Sequence, residues 1–189
     1  MFHPILNQAH AWVERVLRPG DLAVDATLGN GRDAAILAER VGPLGLVIGF
    51  DLQQEALDSA RARLTSPGTA DRVILVKTGH EGMAAVLARK APGRRPRAVM
   101  FNLGYLPGGD RAFATKPDTT LAALASALDL LSPGGIITVV CYPGHVGGQD
   151  EQDAVLAWAR SIPPPRATVV LYQFLNAHKA PCLLAITPK

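Results

Sequence analysis

Only two cysteines, Cys141 and Cys182, occur in 189 residues, each inside an apolar, strand-like run with no partner spacing. That scarcity excludes a disulfide framework and a thiolate metal centre, and it predicts buried free thiols in a reducing compartment. No apolar run approaches the roughly 18 residues that a membrane span needs, and no secretory signal is visible. A cytoplasmic protein without membrane contact is the expectation. His3 and His10 are seven apart and share a helical face, but no third ligand accompanies them, so no metal is expected. Repeats, low-complexity tracts and linkers are also missing. Charge is nearly balanced at +3, which permits nucleic acid as a partner without demanding it. Aromatics make up 5%, whereas Gly and Pro number 18 and 15, a composition suited to an α/β fold with many short loops. The length allows one domain over 1–189 with a sizeable core, in which 1–19 forms a helical segment ahead of the first strand.

What is present is an alternation of two periodicities. Ile5, Ala9, Trp12, Val13 and Val16 mark an amphipathic helix over Pro4–Leu17. Leu22-Ala23-Val24 reads as a buried strand, and Ala34, Leu37, Ala38 and Val41 as one helical face. Leu46–Phe50 is a second strand, Gln53–Leu64 a helix, and Val73–Val76 a third strand ending in Thr78-Gly79-His80-Glu81-Gly82. Ala98–Phe101 enters the segment Asn102–Asp110. Helices over Asp118–Leu131 and Gln149–Arg160 flank the strand Ile136–Tyr142, and Thr168–Tyr172 with Cys182–Ile186 closes the chain as an antiparallel pair. Five strand–helix units plus this pair predict a mostly parallel seven-stranded sheet with helices on both faces.

The stretch Asp25–Asp33 organises the rest. Gly29 and Gly31 leave the backbone bare where a strand ends and a helix begins, so a ligand can approach closely. Asp51 ends the second strand 22 residues beyond Gly29, where a carboxylate can accept both hydroxyls of a ribose. A dinucleotide fits this spacing. However, Asp25 and Asp33 would repel a pyrophosphate and attract an ammonium, which favours S-adenosylmethionine. The acid-x-Thr-x-Gly-x-Gly pattern with a strand-end acid resembles the cofactor loop of class I methyltransferases, whose fold is Rossmann-like. The expected cofactor contacts are Asp25, Thr27, Gly29, Asn30, Gly31, Asp33, Asp51, Gln53, His80, Glu81, Asn102 and Gly104. For His80 and Glu81, a helix-capping role is an equal alternative.

Asn102 and Tyr105 are three apart at the end of the fourth strand, beside the first strand in any such sheet. They resemble the Asn/Asp-Pro-Pro-Tyr loop of methyltransferases that act on exocyclic amines, with Leu103-Gly104 in place of the prolines. An amide oxygen can accept hydrogen bonds from an amine and aim its lone pair, while the ring stacks on the base. Asn102, Tyr105, Asp110 and His145 are the candidate catalytic residues, with Asp110 the leading proton acceptor. Arg32, Arg111, Lys116, Thr119, Tyr142 and Lys179 are the candidate substrate contacts. The dense basic cluster Arg89, Lys90, Arg94, Arg95 and Arg97 lies on the far side of the sheet and reads as a solvated loop rather than an RNA patch.

Taken together, DATLGNGRD, Asp51, TGHEG, FNLGYLPGGD, KPDTT, CYPGH and NAHKAP resemble a bacterial family over nearly the whole chain. Its members are the small one-domain methyltransferases first labelled ribosomal RNA methylases and now associated with wobble uridine of transfer RNA, where an aminomethyl becomes a methylaminomethyl group. The resemblance implies S-adenosylmethionine as cofactor, a tRNA substrate met at its anticodon stem-loop, and a homodimer. A ribosomal RNA base or a small-molecule amine is the rival acceptor, and a non-catalytic sensor of the cofactor is the rival class.

Overall fold

The computed structural model describes residues 2–65, 68–106, 108, 110–177 and 179–189, with the backbone alone at Arg111. Seven strands form one sheet: Leu22–Asp25 (β1), Leu46–Asp51 (β2), Val73–Lys77 (β3), Pro96–Asn102 (β4), Ile136–Cys141 (β5), Ala167–Gln173 (β6) and Cys182–Pro188 (β7). Among the described residues six α-helices accompany them: Ile5–Val16 (α1), Arg32–Val41 (α2), Gln54–Arg63 (α3), Met83–Lys90 (α4), Pro117–Leu130 (α5) and Gly148–Ser161 (α6). The order is β3-β2-β1-β4-β5-β7-β6. β1 to β5 pair in parallel, and β7 inserts antiparallel between β5 and β6.

Strands of a parallel sheet are covered on both faces, so they read as continuous apolar runs. Here the period of two still sorts the side chains. Leu22, Val24, Ile48, Phe50, Val99, Phe101, Ile137 and Val139 pack with residues of α4, α5 and α6. Ala23, Val47, Ala98, Met100, Ile136 and Val140 pack with α1, α2 and α3. Phe50 and Phe101 are the largest fully buried side chains, each worth about 1.5–3 kcal/mol of transfer free energy. The expected sheet and both helical layers are present, with element ends within a residue or two of the sequence reading. The short α4, the helix of the third strand–helix unit, is carried by Met83, Val86 and Leu87.

The strand order reverses between β1 and β4, because the chain leaves β3 at one edge and returns on the other side of β1. Loops after β1 and β4 therefore diverge above the sheet and open a crevice at the carboxyl ends of the strands.

At the opposite end of the strands, the basic cluster is not simply solvated. Arg95 donates through Nε and Nη2 to the Leu131 carbonyl and through Nη2 to the Asp129 carbonyl, 2.7–3.2 Å away. Arg97 donates to the Pro133 carbonyl at 2.5 Å and Arg94 to the Gly20 carbonyl at 2.7 Å. The Arg95 and Arg97 guanidinium groups satisfy carbonyls at and beyond the end of α5, where a cation also complements the helix dipole, and Arg94 serves the turn before β1. Arg95→Ala should accordingly lower unfolding free energy by about 1 kcal/mol in urea titrations while leaving ligand binding at the far end of the sheet unchanged.

Candidate functional site

The β1–α2 loop is built by two glycines with left-handed backbones. Gly31, at φ +72°, caps α2, and a Cβ there would lie 2.8 Å from the Ala60 Cβ on α3. Gly29, at φ +48°, turns its amide to Asp51 Oδ2 at 2.9 Å, while the Gln53 amide donates to Asp51 Oδ1 at 2.9 Å. Two backbone donors thus fix the Asp51 carboxylate at the end of β2, and each oxygen keeps a further lone pair for a ligand hydroxyl. The amide of Asn102 donates to Thr27 Oγ1 at 2.7 Å, which ties this loop to the end of β4. Asn30 faces α3, where its side-chain oxygen accepts from Ser59 Oγ at 3.1 Å.

The two acids of the loop have different surroundings. Asp25 is completely buried, and its Oδ1 accepts the Thr27 amide at 3.2 Å. Its Oδ2 finds no partner among the described residues. Burial, then the neighbouring Asp33 charge, push the Asp25 carboxyl well above the usual range. Its carboxyl does not line the crevice, contrary to expectation; it lies beneath the loop. Asp33 does line it, and there His10 Nε2 donates to its Oδ1 at 2.7 Å. His80 is also more structural than expected. Its buried ring donates from Nδ1 to the Ala26 carbonyl at 3.2 Å and packs edge-on to Phe101, and burial lowers its pKa. Glu81 is exposed on the rim of the crevice.

Two cavities occupy the crevice. One of about 800 Å³ is lined by Thr27, Gly29, Asn30, Arg32, Asp33, Asp51, Gln53, His80, Glu81, Lys116 and Thr119, with Leu6, Leu106 and Phe113 also contributing. A second, of about 830 Å³, is lined by Leu103, Gly108, Gly144, His145, Lys179 and Pro181. Asn102, Gly104, Tyr105 and Tyr142 line both. Within this shared wall, Asn102 Oδ1 is buried with no partner among the described residues. Tyr142 has its phenol pKa raised by burial first and by Asp33 second. The Tyr105 ring meets the His145 ring edge-on, with centroids 5.5 Å apart. His145 Nδ1 lies 2.9 Å from the Val146 carbonyl, which places the proton of the neutral ring on Nδ1. That leaves Nε2, buried and unpartnered among the described residues, with a bare lone pair near Gly104.

The segment after β4 is closed at its base. Gly104 donates its amide to Thr115 Oγ1 at 2.9 Å and receives the Thr115 amide on its carbonyl at 2.8 Å. Thr115 and Thr120 hydroxyls each donate at 2.7 Å to Glu151, which is 2% exposed in the first turn of α6. Sequence reasoning missed Glu151, Thr115, Thr120 and the pairing of His10. Asp110 departs from expectation. It is exposed, lines neither cavity, and accepts the Ala112 amide at 2.9 Å as a local cap, so it is not placed to receive a proton from a ligand. The side chain of Arg111 and residues Pro107 and Gly109 lie outside the described residues.

A family model described as "Putative rRNA methylase" matches residues 47–187. A chloroplastic tRNA (mnm5s2U34)-methyltransferase of Arabidopsis thaliana is 38% identical over 184 residues; the match covers 93% of this chain, which spans 66% of that protein's length. A Clostridium thermocellum structure described as a "putative rRNA-methylase" is 40% identical and superposes with a TM-score of 0.93, each chain covered in full. A Streptococcus mutans protein described as "a putative methyltransferase", in complex with SAH, is 34% identical, with a TM-score of 0.87 and full coverage of both chains.

The buried Asp25 gives a testable sign. With its folded pKa above the ordinary 3.8, the unfolded chain ionises first. Its stabilising contribution is therefore present at acid pH and lost as pH rises from about 4 through the folded pKa. Asp25→Asn should raise the melting temperature of the ligand-free protein at pH 7 and flatten its pH dependence above pH 4, measured by thermal unfolding across a pH series.

Proposed function

The chain belongs to the rRNA methylase family, and on that premise we propose that it is an S-adenosylmethionine-dependent N-methyltransferase acting on tRNA. The proposed reaction converts the 5-aminomethyl group of wobble uridine, presented by the anticodon stem-loop, to 5-methylaminomethyl. Its seven-stranded fold is the Rossmann-like fold of class I methyltransferases. The observation that carries the reading is the wall shared by two cavities, in which an amide oxygen without a partner among the described residues and an aromatic ring stand between a cofactor-sized space and a second one. The tRNA acceptor follows the Arabidopsis relative. The homodimer rests on the resemblance alone, and the cytoplasmic location on the two free cysteines and the sequence reading; among the described residues no helix is long and apolar enough to cross a membrane.

The residues fit the cofactor. Gly29 and Gly31 make the close approach, Asp51 is set to accept ribose hydroxyls, and Asp33 offers an anion on the cavity wall. When bound, S-adenosylmethionine supplies a methyl group already activated as a sulfonium. Asn102 Oδ1 accepts an N–H of the substrate amine and so directs its lone pair, and Tyr105 packs against the base that carries it. A primary alkylamine has a reference pKa of about 10.4 and must lose a proton before attack. The apolar contribution of Leu103, Tyr105, Tyr142 and Pro181 to the second cavity disfavours the charged form. His145 takes the proton on its bare Nε2, replacing Asp110 in that role. Arg32, Lys116 and Lys179 meet phosphates at the mouth, with Thr119 and Tyr142 as further substrate contacts.

Methyl transfer from labelled cofactor to tRNA lacking the endogenous modification, followed by nucleoside analysis, tests the proposal. Asn102→Ala should lower kcat by about a hundredfold and change cofactor affinity little, because alignment acts mainly in the transition state and the backbone bond to Thr27 survives. Full activity of this variant would point to a carbon or ribose acceptor instead. His145→Gln should lose activity most at neutral pH and recover as pH rises and more amine is neutral without help. Equal loss at every pH would remove the proton-accepting role.

A further inference from the structure

Helix α1 has no part in the reaction as drawn so far, yet it reaches the cofactor cavity. Its buried Ile5, Ala9 and Val13 recur every four residues and pack on the sheet. One position further round lie Leu6 and His10, also four apart. Leu6 lines the first cavity, and His10 Nε2 donates to Asp33 Oδ1 at 2.7 Å, with side chains 17% and 6% exposed. Asp33 sits in the first turn of α2 on the wall of the same cavity. A carboxylate there has several rotamers open to it. A hydrogen bond from a different helix selects one, engages one oxygen, and leaves the other for a ligand.

We propose that His10 is a positioning residue for the amino-acid end of the cofactor: by holding Asp33 Oδ1, it presents the carboxylate to the cofactor's ammonium. The proposal rests on the cofactor reading above. It makes α1 a working part of the binding site and not only a cover for the sheet. The helix is held independently of His10, since the Tyr172 hydroxyl donates to the His3 carbonyl at 2.8 Å and Trp12 packs edge-on against Tyr172. Removing the imidazole therefore tests the hydrogen bond without releasing the helix.

Calorimetry on the full chain with two probes separates this role from a structural one. S-adenosylhomocysteine carries the ammonium, whereas 5′-methylthioadenosine has the same nucleoside and no amino-acid end. His10→Ala should weaken S-adenosylhomocysteine about tenfold and leave 5′-methylthioadenosine within about twofold. His10→Gln, whose amide can donate to the same oxygen, should restore most of the loss. Equal weakening of both probes would make His10 structural, and unchanged affinity for S-adenosylhomocysteine would remove the contact; either result overturns the proposal. Failure of the unaltered protein to bind S-adenosylhomocysteine, with binding of a nicotinamide dinucleotide, would overturn the cofactor reading itself.

Discussion

The hydrogen bond from the Asn102 amide to the Thr27 hydroxyl, 2.7 Å long, together with that from the Ala26 amide to the Met100 carbonyl at 2.8 Å, joins two strand ends beyond which the chain diverges. β1 and β4 run side by side up to this point, and the chain then leaves them in opposite directions. A gap between their ends would separate the glycine loop from the amide side chain of Asn102. With the bond in place, the loop that cradles a ligand and the residue that would aim a nucleophile share one rigid origin. Small errors in distance at a reacting centre cost much in rate, so a tie of this kind matters more to the site than to the stability of the sheet.

Beneath that tie the protein keeps a carboxyl group where stability alone would place an amide or an alkyl group. Asp25 is fully buried, lies near Asp33, and leaves one oxygen without a partner among the described residues. Burial and the neighbouring Asp33 disfavour the charged form of such a carboxyl. The same loop forces Gly31 into a left-handed backbone with no room for a Cβ. A left-handed turn and a desolvated carboxyl thus lie within a few residues of each other, and the two packed helical layers supply the free energy that holds them.

Sequence made legible whatever depends on local spacing. Gly29, Gly31 and Asp51 could be placed because a parallel strand pair puts each strand-end residue beside the preceding loop. The sheet followed from periods of two and 3.6. Contacts made by packing of distant segments were hidden: His10 reaches Asp33 across 23 positions, and Thr115 and Thr120 reach Glu151 across 36 and 31. No periodicity carries that information. Asp110 sits otherwise than expected for the opposite reason. A side chain two residues before a free amide satisfies that amide locally, and this competes with any role in a cavity. The arginines near β4 lie in a loop whose sequence shows charge but not the carbonyls of α5 that the charge serves.

The paired hydrogen bonds between Gly104 and Thr115, backed by Glu151, close the intervening segment on itself like the neck of a purse. Chain within such a neck can lengthen, shorten or change composition at little entropic cost, since closure depends only weakly on loop size. Strand β4 and helix α5 would not register the change. The part of the crevice wall that this segment supplies can therefore diversify by substitution in one short excursion, while the glycine loop keeps its own ties to β2 and α3. A scaffold divided in this way suits descent of related proteins that keep one donor molecule and exchange its recipient.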